Sequence, residues 1–415
     1  MSDPARRAIE AVWRIEAPRL LAGLARHAGG IGPAEDLAQD ALVAALEQWP
    51  REGIPANPGA WLAAVARRRA VDAARRRRVL ERRAGELGRR LELDRPAQES
   101  AAPDGEPGED LLALILLTCH PLLSVDARVA LTLKLACGLS TEEIARALLV
   151  REPAIAQRIV RAKRTLAEAE VPFEVPPPGE LGPRMASVLD VLYLLFNEGY
   201  AATAGEEWQR PELCHDALRL GRVLAELLPT DPEVHGLVAL MEIQASRSSA
   251  RGGPAGEPVL LLDQDRARWD RLLIRRGLAA LERARALGRG LGPYGLQAAI
   301  AACHARAATA ADTDWLRIVA LYDALSQIAP SPVVALNRAV AVAMAYGPAA
   351  ALEIVDGLAR EPALERYHLL PSVRGELLAQ LGRSDAARAE FERAASLTRN
   401  ERERALLLAR AARAA

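Results

Sequence analysis

The chain has 415 residues, and its 54 Lys and Arg balance 54 Asp and Glu, so net charge alone marks neither a nucleic-acid binder nor a membrane-surface protein. Half of the residues are hydrophobic and only 4% aromatic, and no stretch approaches the run of about 18 apolar residues that a membrane-crossing helix needs. The N-terminus, MSDPARRAIEAVWRIEAPRL, lacks the apolar centre of a signal peptide. Cys119, Cys137, Cys214 and Cys303 form no C-x-x-C pair, so a reducing, cytoplasmic setting is expected rather than a disulfide framework.

Ala, Leu, Arg and Glu dominate, and alternating Val/Ile/Thr runs are missing, so the chain reads as all-α. In chain order, the first clear element is the amphipathic helix from Ala34 to Trp49. Leu37, Ala41, Ala44 or Ala45 and Trp49 are expected to face the core, which leaves Glu35, Asp36, Gln39, Asp40 and Glu47 for solvent or a protein partner. A basic helix follows from Trp61 to Arg90. Arg67, Arg68, Arg69, Arg75 and Arg76 begin a series opposed only by Asp72, Glu81 and Glu86, above an apolar face of Trp61, Leu62 and Val65. Such a density repels itself on a free helix, so a phosphate backbone is its natural partner.

Residues Glu92 to Asp110 carry Pro96, Pro103, Pro107, Gly105, Gly108 and seven acids against Arg95 alone, which predicts a mobile acidic linker. The sharpest local pattern comes next, over residues 126–167. Gly138 marks a turn, Ser140 and Glu143 make a capping box, and Pro153 opens a second helix buried along Ile155, Ile159, Ala162 and Leu166. Ala154, Gln157, Arg158 and Arg161 then share another face, flanked by Lys163 and Arg164. Two short helices joined by a tight turn, the second presenting Gln and Arg, describe a helix-turn-helix that reads base edges in a major groove.

A Pro-rich break from Val171 precedes the long C-terminal half. The expected domains are therefore 1–91, a linker 92–110, 111–170, a second linker 171–183, and 184–415. Outside the acidic linker, basic residues exceed acidic ones by about eight in the first two domains, the asymmetry of a part that meets a polyanion. The segments from Pro332 and from Ser372 each read as helix, Gly turn and helix. Gly347 and Gly382 lie 35 residues apart, near the tetratricopeptide (TPR) period, and Ala386, Ala387, Phe391 and Ala394 occupy its packing positions. Leu213 to Leu228 and Pro232 to Gln244 read as degenerate pairs. A third loop, Ser246 to Pro258, interrupts this half.

His120, His215 and His304 each follow a cysteine, but neighbours on a helix point about 100° apart, a poor chelate, so no metal is expected. In DQDRARWD, Asp263, Asp265 and Asp270 lie among arginines without a Gly-rich phosphate loop or a nucleophile–base pair, which reads as an ion-paired helix start rather than a catalytic site. No catalysis by this chain and no cofactor are expected.

Three elements in this order resemble a sigma factor of the extracytoplasmic-function (ECF) class. AEDLAQDALVAALEQWP resembles the region 2 helix that docks on the clamp helices of RNA polymerase. NPGAWLAAVARRRAVDAARRR resembles the part that opens and reads the −10 element, and GLSTEEIARALLVREPAIAQRIVRAKRTL the region 4 helix-turn-helix that reads the −35 element. The chain departs from the family pattern at Arg69, near which Asn is frequent, and at Ala156, near which Lys is frequent. VLYLLFNEGYAAT, DQDRARWDRLLI and GPYGLQAAIAACHA resemble the subgroup with a TPR-like C-terminal extension.

The resemblance implies bacterial RNA polymerase core and promoter DNA as partners. It assigns Glu35, Asp36, Gln39, Asp40 and Glu47 to polymerase, and Asn57, Trp61, Arg67, Arg68, Arg69, Asp72, Arg75 and Arg76 to the −10 strand. Ala154, Gln157, Arg158, Arg161, Lys163 and Arg164 fall to the −35 duplex. It also implies a protein or peptide partner for the extension, such as a small DGPF-type protein, and no membrane. The alternatives from residues alone are a helix-turn-helix regulator that is not a sigma subunit, and a TPR adaptor whose basic helix contacts RNA.

Overall fold

The computed structural model describes residues 3–28, 30–71, 107–148, 150–202, 204–206, 208–253, 257–288 and 290–414. The chain divides into two compact units, Met1–Val191 and Leu192–Ala415.

The first unit starts with α1 (Asp3–Ala28), α2 (Ile31–Glu52) and α3, described over residues 58–71. α2 buries Ala34, Ala38, Ala41, Ala45 and Trp49, a three-and-four spacing that forms one stripe against α1. Gly53, at φ 85°, turns the chain and donates its N–H to the Trp49 carbonyl at 2.9 Å.

α4 (Pro107–Thr118) is buried continuously from Leu111 to Leu117 and packs on α1 and α5 (Val125–Leu135). Its sequence, LLALILLT, is apolar all round, so it has no solvent face to offer. α6 (Thr141–Leu148) and α7 (Glu152–Glu168) complete the unit together with the first part of α8 (Pro178–Tyr200). Ser187 on α8 donates to the Cys119 carbonyl at 2.6 Å and accepts from Arg128 at 2.6 Å, which ties this helix to the α4–α5 corner.

A helix begins inside each of the two expected linkers. α4 begins at Pro107, so Glu109 and Asp110 belong to a helix; acids suit a first turn, and the buried Asp110 accepts a 2.7 Å hydrogen bond from Arg26 on α1. α8 begins at Pro178 and runs through Pro183, so the division between units falls inside it rather than near 184. Residues 92–106 lie outside the described residues.

The second unit is a succession of helices: α9 (Pro211–Leu227), α10 (Pro232–Ala245), α11 (Arg271–Ala286), α12 (Pro293–Arg306), α13 (Trp315–Ile328), α14 (Pro332–Tyr346), α15 (Pro348–Leu358), α16 (Leu369–Gln380), α17 (Ser384–Leu397) and α18 (Glu401–Arg413). Consecutive helices pack on each other throughout, and α10 also packs on α12. Five begin on proline, where the missing N–H leaves no bond unmade, and Asp231, Asp270, Asp314 and Ser331 cap helix starts through their side chains.

Asp270 therefore receives backbone N–H groups from Leu272 and Leu273 rather than acting chiefly as an ion-pair partner in DQDRARWD. Gly347 and Gly382, at φ 95° and 73°, make the turns read from the sequence. Phe391 is buried against Gly375, where a Cβ would stand 3.0 Å from its ring. The two-residue strands β1 (Ala204–Gly205) and β2 (Arg399–Asn400) pair in parallel, and Asn400 donates to the Ala202 carbonyl at 3.1 Å, so α18 is fastened beside the start of the unit. The four cysteines are buried thiols. Among the described residues, no helix is long and apolar enough to cross a membrane.

Candidate nucleic-acid interface

The helix-turn-helix is built as its residues dictate. Ser140 Oγ accepts from the Glu143 N–H at 3.1 Å, and Glu143 Oε2 accepts from the Ser140 N–H at 2.7 Å, closing the capping box at the start of α6. Gly138, at φ 74°, makes the preceding turn. α7 starts at Glu152, one residue before Pro153, and buries Ile155, Ile159, Ala162 and Leu166 against α5 and α6. The opposite face carries exposed Gln157, Arg161 and Arg164, with Ala154, Arg158 and Lys163 half-buried at its margins.

Three of these cations are already engaged. Arg158 meets Asp126 on α5 at 3.3 Å, and Arg164 donates to Glu168 at 2.6 Å within α7. Lys163 pairs with Glu35 on α2. Among the described residues, Gln157 and Arg161 have no side-chain hydrogen bond or ion pair, so they are the most available base-reading groups.

Glu35 changes role accordingly. The sequence assigned it to a solvent or polymerase face, but it is 8% exposed and charge-paired with Lys163. Nearby Lys134 has its pKa lowered by burial, against which the Glu35 charge acts. Asp36, Gln39, Asp40 and Glu47 remain on the exposed face of α2, whereas the expected core residue Leu37 is half-buried and Ala34 and Ala38 are buried in its place. A cleft of about 670 Å³ beside the Lys163–Glu35 pair is lined by Arg26, Ile31, Pro33, Leu166 and Phe173.

In α3, Leu62, Val65 and Ala66 are buried while Arg67, Arg68 and Arg69 stand exposed, so the apolar anchor and the basic face separate as their spacing required. Two expected −10 residues have local structural duties. Asn57 Oδ1 accepts from the Ala60 N–H at 3.0 Å as the cap of α3, and Trp61 packs edge-on against Trp49 with ring centres 5.3 Å apart. Arg69 lies 3.7 Å from Asp40, linking the basic face to the acidic face of α2. Asp72, Arg75 and Arg76 lie outside the described residues.

Sequence reading missed Asp126 as the partner of Arg158, and Arg26 with Asp110 as the tie between α1 and α4. The members of the second pair are 84 positions apart, so no local pattern announces them.

Residues 14–79 match the family model described as Sigma-70 region 2, and residues 113–166 match Sigma-70, region 4. The chain belongs to the sigma-70 family. It is an RNA polymerase sigma factor of ECF type, which binds core polymerase and promoter DNA and directs transcription initiation. Residues 184–285 of this sigma factor match a family of unknown function, DUF6596, which covers the first part of the extension. The sigma factor is 43% identical over 394 residues to the uncharacterized protein R00370 of Rhizobium meliloti (strain 1021), covering 94% of this chain and 92% of that one. The likeness thus runs through both units. No solved structure matches the chain.

Proposed function

We propose that α7 reads the −35 duplex through Gln157 and Arg161, with Arg158 joining when it exchanges Asp126 for a base or phosphate. The observation that carries this reading is the exposed Gln157 and Arg161 opposite the buried Ile155, Ile159, Ala162 and Leu166 stripe. Arg and Gln side chains match guanine and adenine edges, and Lys163 and Arg164 would hold the flanking phosphates. Arg67, Arg68 and Arg69 would track the −10 strand, continued by the arginines that follow. Trp61, packed on Trp49, serves this surface as its anchor. Asp36, Gln39, Asp40 and Glu47 would meet core polymerase, and the acids of 92–106 would run along its channel as a nucleic-acid mimic.

The Glu35–Lys163 pair gives the sigma factor two states in this reading. Paired, it joins the polymerase-binding helix to the DNA-reading helix. Separated, it frees Lys163 for phosphate, and engagement of α2 by polymerase would favour that separation. Glu35→Gln is expected to tighten duplex binding by the polymerase-free chain roughly five-fold, the effect of about 1 kcal/mol. Filter binding on a −35 duplex measures it, and unchanged affinity would remove the latch from the mechanism.

The C-terminal unit would regulate through a TPR-like surface that accepts a protein segment. Run-off transcription with core polymerase, comparing the full chain with one ending at Val191, which keeps the part of α8 that belongs to the first unit, tests this role. Identical promoters and yields from the two would count against it.

A further inference from the structure

Beside the ends of α8, α10 and α12, the C-terminal unit holds a ladder of arginines and aromatic rings. The Arg251 guanidinium carbon lies 3.4 Å from the centre of the Tyr200 ring and 5.5 Å from that of Trp208. Arg247 lies 5.6 Å from Tyr200 and 5.9 Å from Trp269, and Arg266 stands 4.8 Å from Trp269. Three cations are thus gathered within one buried cluster.

They are not equally provided for. Arg266 donates to the carbonyls of His304 at 2.5 Å and Ala307 at 2.8 Å, closing the C-terminal end of α12, and reaches Thr313 Oγ1 at 3.3 Å. A cation at that end is also favoured by the helix dipole. Arg247 and Arg251 have no comparable arrangement. Arg251 reaches the Tyr200 hydroxyl, but among the described residues neither arginine is ion-paired with a carboxylate, and the Nε of each is buried without an acceptor.

The surroundings repeat this pattern. The indole nitrogens of Trp208 and Trp269 and the amide nitrogen of Gln209 are likewise buried donors without acceptors. Arg251 is 7% exposed and Trp269 3%, whereas Arg247 is half-buried and gives the cluster an edge toward solvent. A donor left unmatched in a protein interior costs about 1–3 kcal/mol. Ring contacts offset part of the positive charge but leave these N–H groups unused. A group that carries negative charge and several acceptor oxygens would answer both needs at once.

We propose that Arg247 and Arg251, walled by Trp208 and Trp269, bind a small oxyanion-bearing ligand, a carboxylate or a phosphate ester. Arg266 positions the wall by holding α12 and stacking near Trp269. The site lies wholly within residues 192–415 and does not depend on which residues read the promoter.

The test is thermal unfolding of the full chain, with inorganic phosphate and citrate titrated separately against chloride at constant ionic strength. A saturable rise in midpoint with at least one of the two is expected, accompanied by a change in tryptophan fluorescence. Phosphate alone would identify a phosphate-type site, and citrate alone a carboxylate-type site. Arg251→Gln and Arg247→Gln should each weaken the apparent affinity at least about ten-fold, as loss of one charge-assisted hydrogen bond implies. If Arg251→Gln does not fold, Arg247→Gln at the half-buried position decides. Equal responses to phosphate, citrate and chloride, or an oxyanion response unaltered in Arg247→Gln, would overturn the proposal.

Discussion

Two sets of arginines, one in each unit of this sigma factor, are used in opposite ways. In residues 1–191, Arg67, Arg68, Arg69, Arg161 and Arg164 stand in solvent, and Arg69 and Arg164 touch exposed acids that a phosphate can replace. In residues 192–415, Arg251 and Arg266 are each 7% exposed and meet aromatic rings, carbonyls and hydroxyls. A guanidinium in water keeps its charge available to a polyanion at little structural cost. One inside a fold must be matched by fixed dipoles, and removing it leaves those dipoles unmatched. Mutations should therefore separate function from stability at the first set and join them at the second.

The largest expected effect is on stability. Arg266→Ala should destabilise the second unit by about 4 kcal/mol, because the α12 carbonyls and Thr313 lose their donor together. Arg161→Ala should shift stability by no more than about 0.5 kcal/mol. Denaturant unfolding of both variants measures the contrast, and similar shifts would abolish it.

The buried cluster should also respond to acid. Burial, reinforced by the charges of Arg247 and Arg266, pushes His304 down to about 4, while its ring packs edge-on against Trp315. The unfolded chain binds a proton at about 6.5, so it holds more protons than the folded chain between that value and 4. The stability contributed by neutral His304 is complete above pH 6.5 and is lost as pH falls through this window, about 3 kcal/mol in all. His304→Gln should flatten that part of the stability–pH curve. An unchanged slope would assign the acid sensitivity elsewhere.

In the first unit the expected loss is in transcription. Arg158→Ala with Arg161→Ala should lower −35-dependent run-off product at least about ten-fold, since a bidentate base contact is worth about 1–3 kcal/mol. The folded population should remain intact. Loss of folding instead would show that these arginines resemble Arg266 after all. The smallest effect belongs to the local scaffold. Ser140→Ala should cost about 1 kcal/mol by opening the capping box, with a small fall in the melting temperature and unchanged base preference.

Much of this was legible in the chain itself. The Ser140–Glu143 box, the Gly138 turn and the α7 stripe appear where their spacing required, because each depends on contacts within a few residues. The helix pairs around Gly347 and Gly382 were legible for the same reason. The acidic stretch was less legible: Glu109 and Asp110 look like linker beside Pro107 and Gly108, yet they form the first turn of α4, with Arg26 opposite. Asn57 and Trp61 sit in a motif associated with DNA, but cap and anchor α3.

By itself, then, the order of residues determined the helical class, the helix-turn-helix and the faces that carry its cations, because periodicity and capping act over a turn or two. Tertiary structure decided which charges remain available. Glu35 meets Lys163 across 128 positions, and Arg266 reaches the α12 terminus across 38. Whether a charge lies in water, against an acid or over a ring depends on which distant segment packs there, and the free energy of that choice is set by burial rather than by neighbours in sequence.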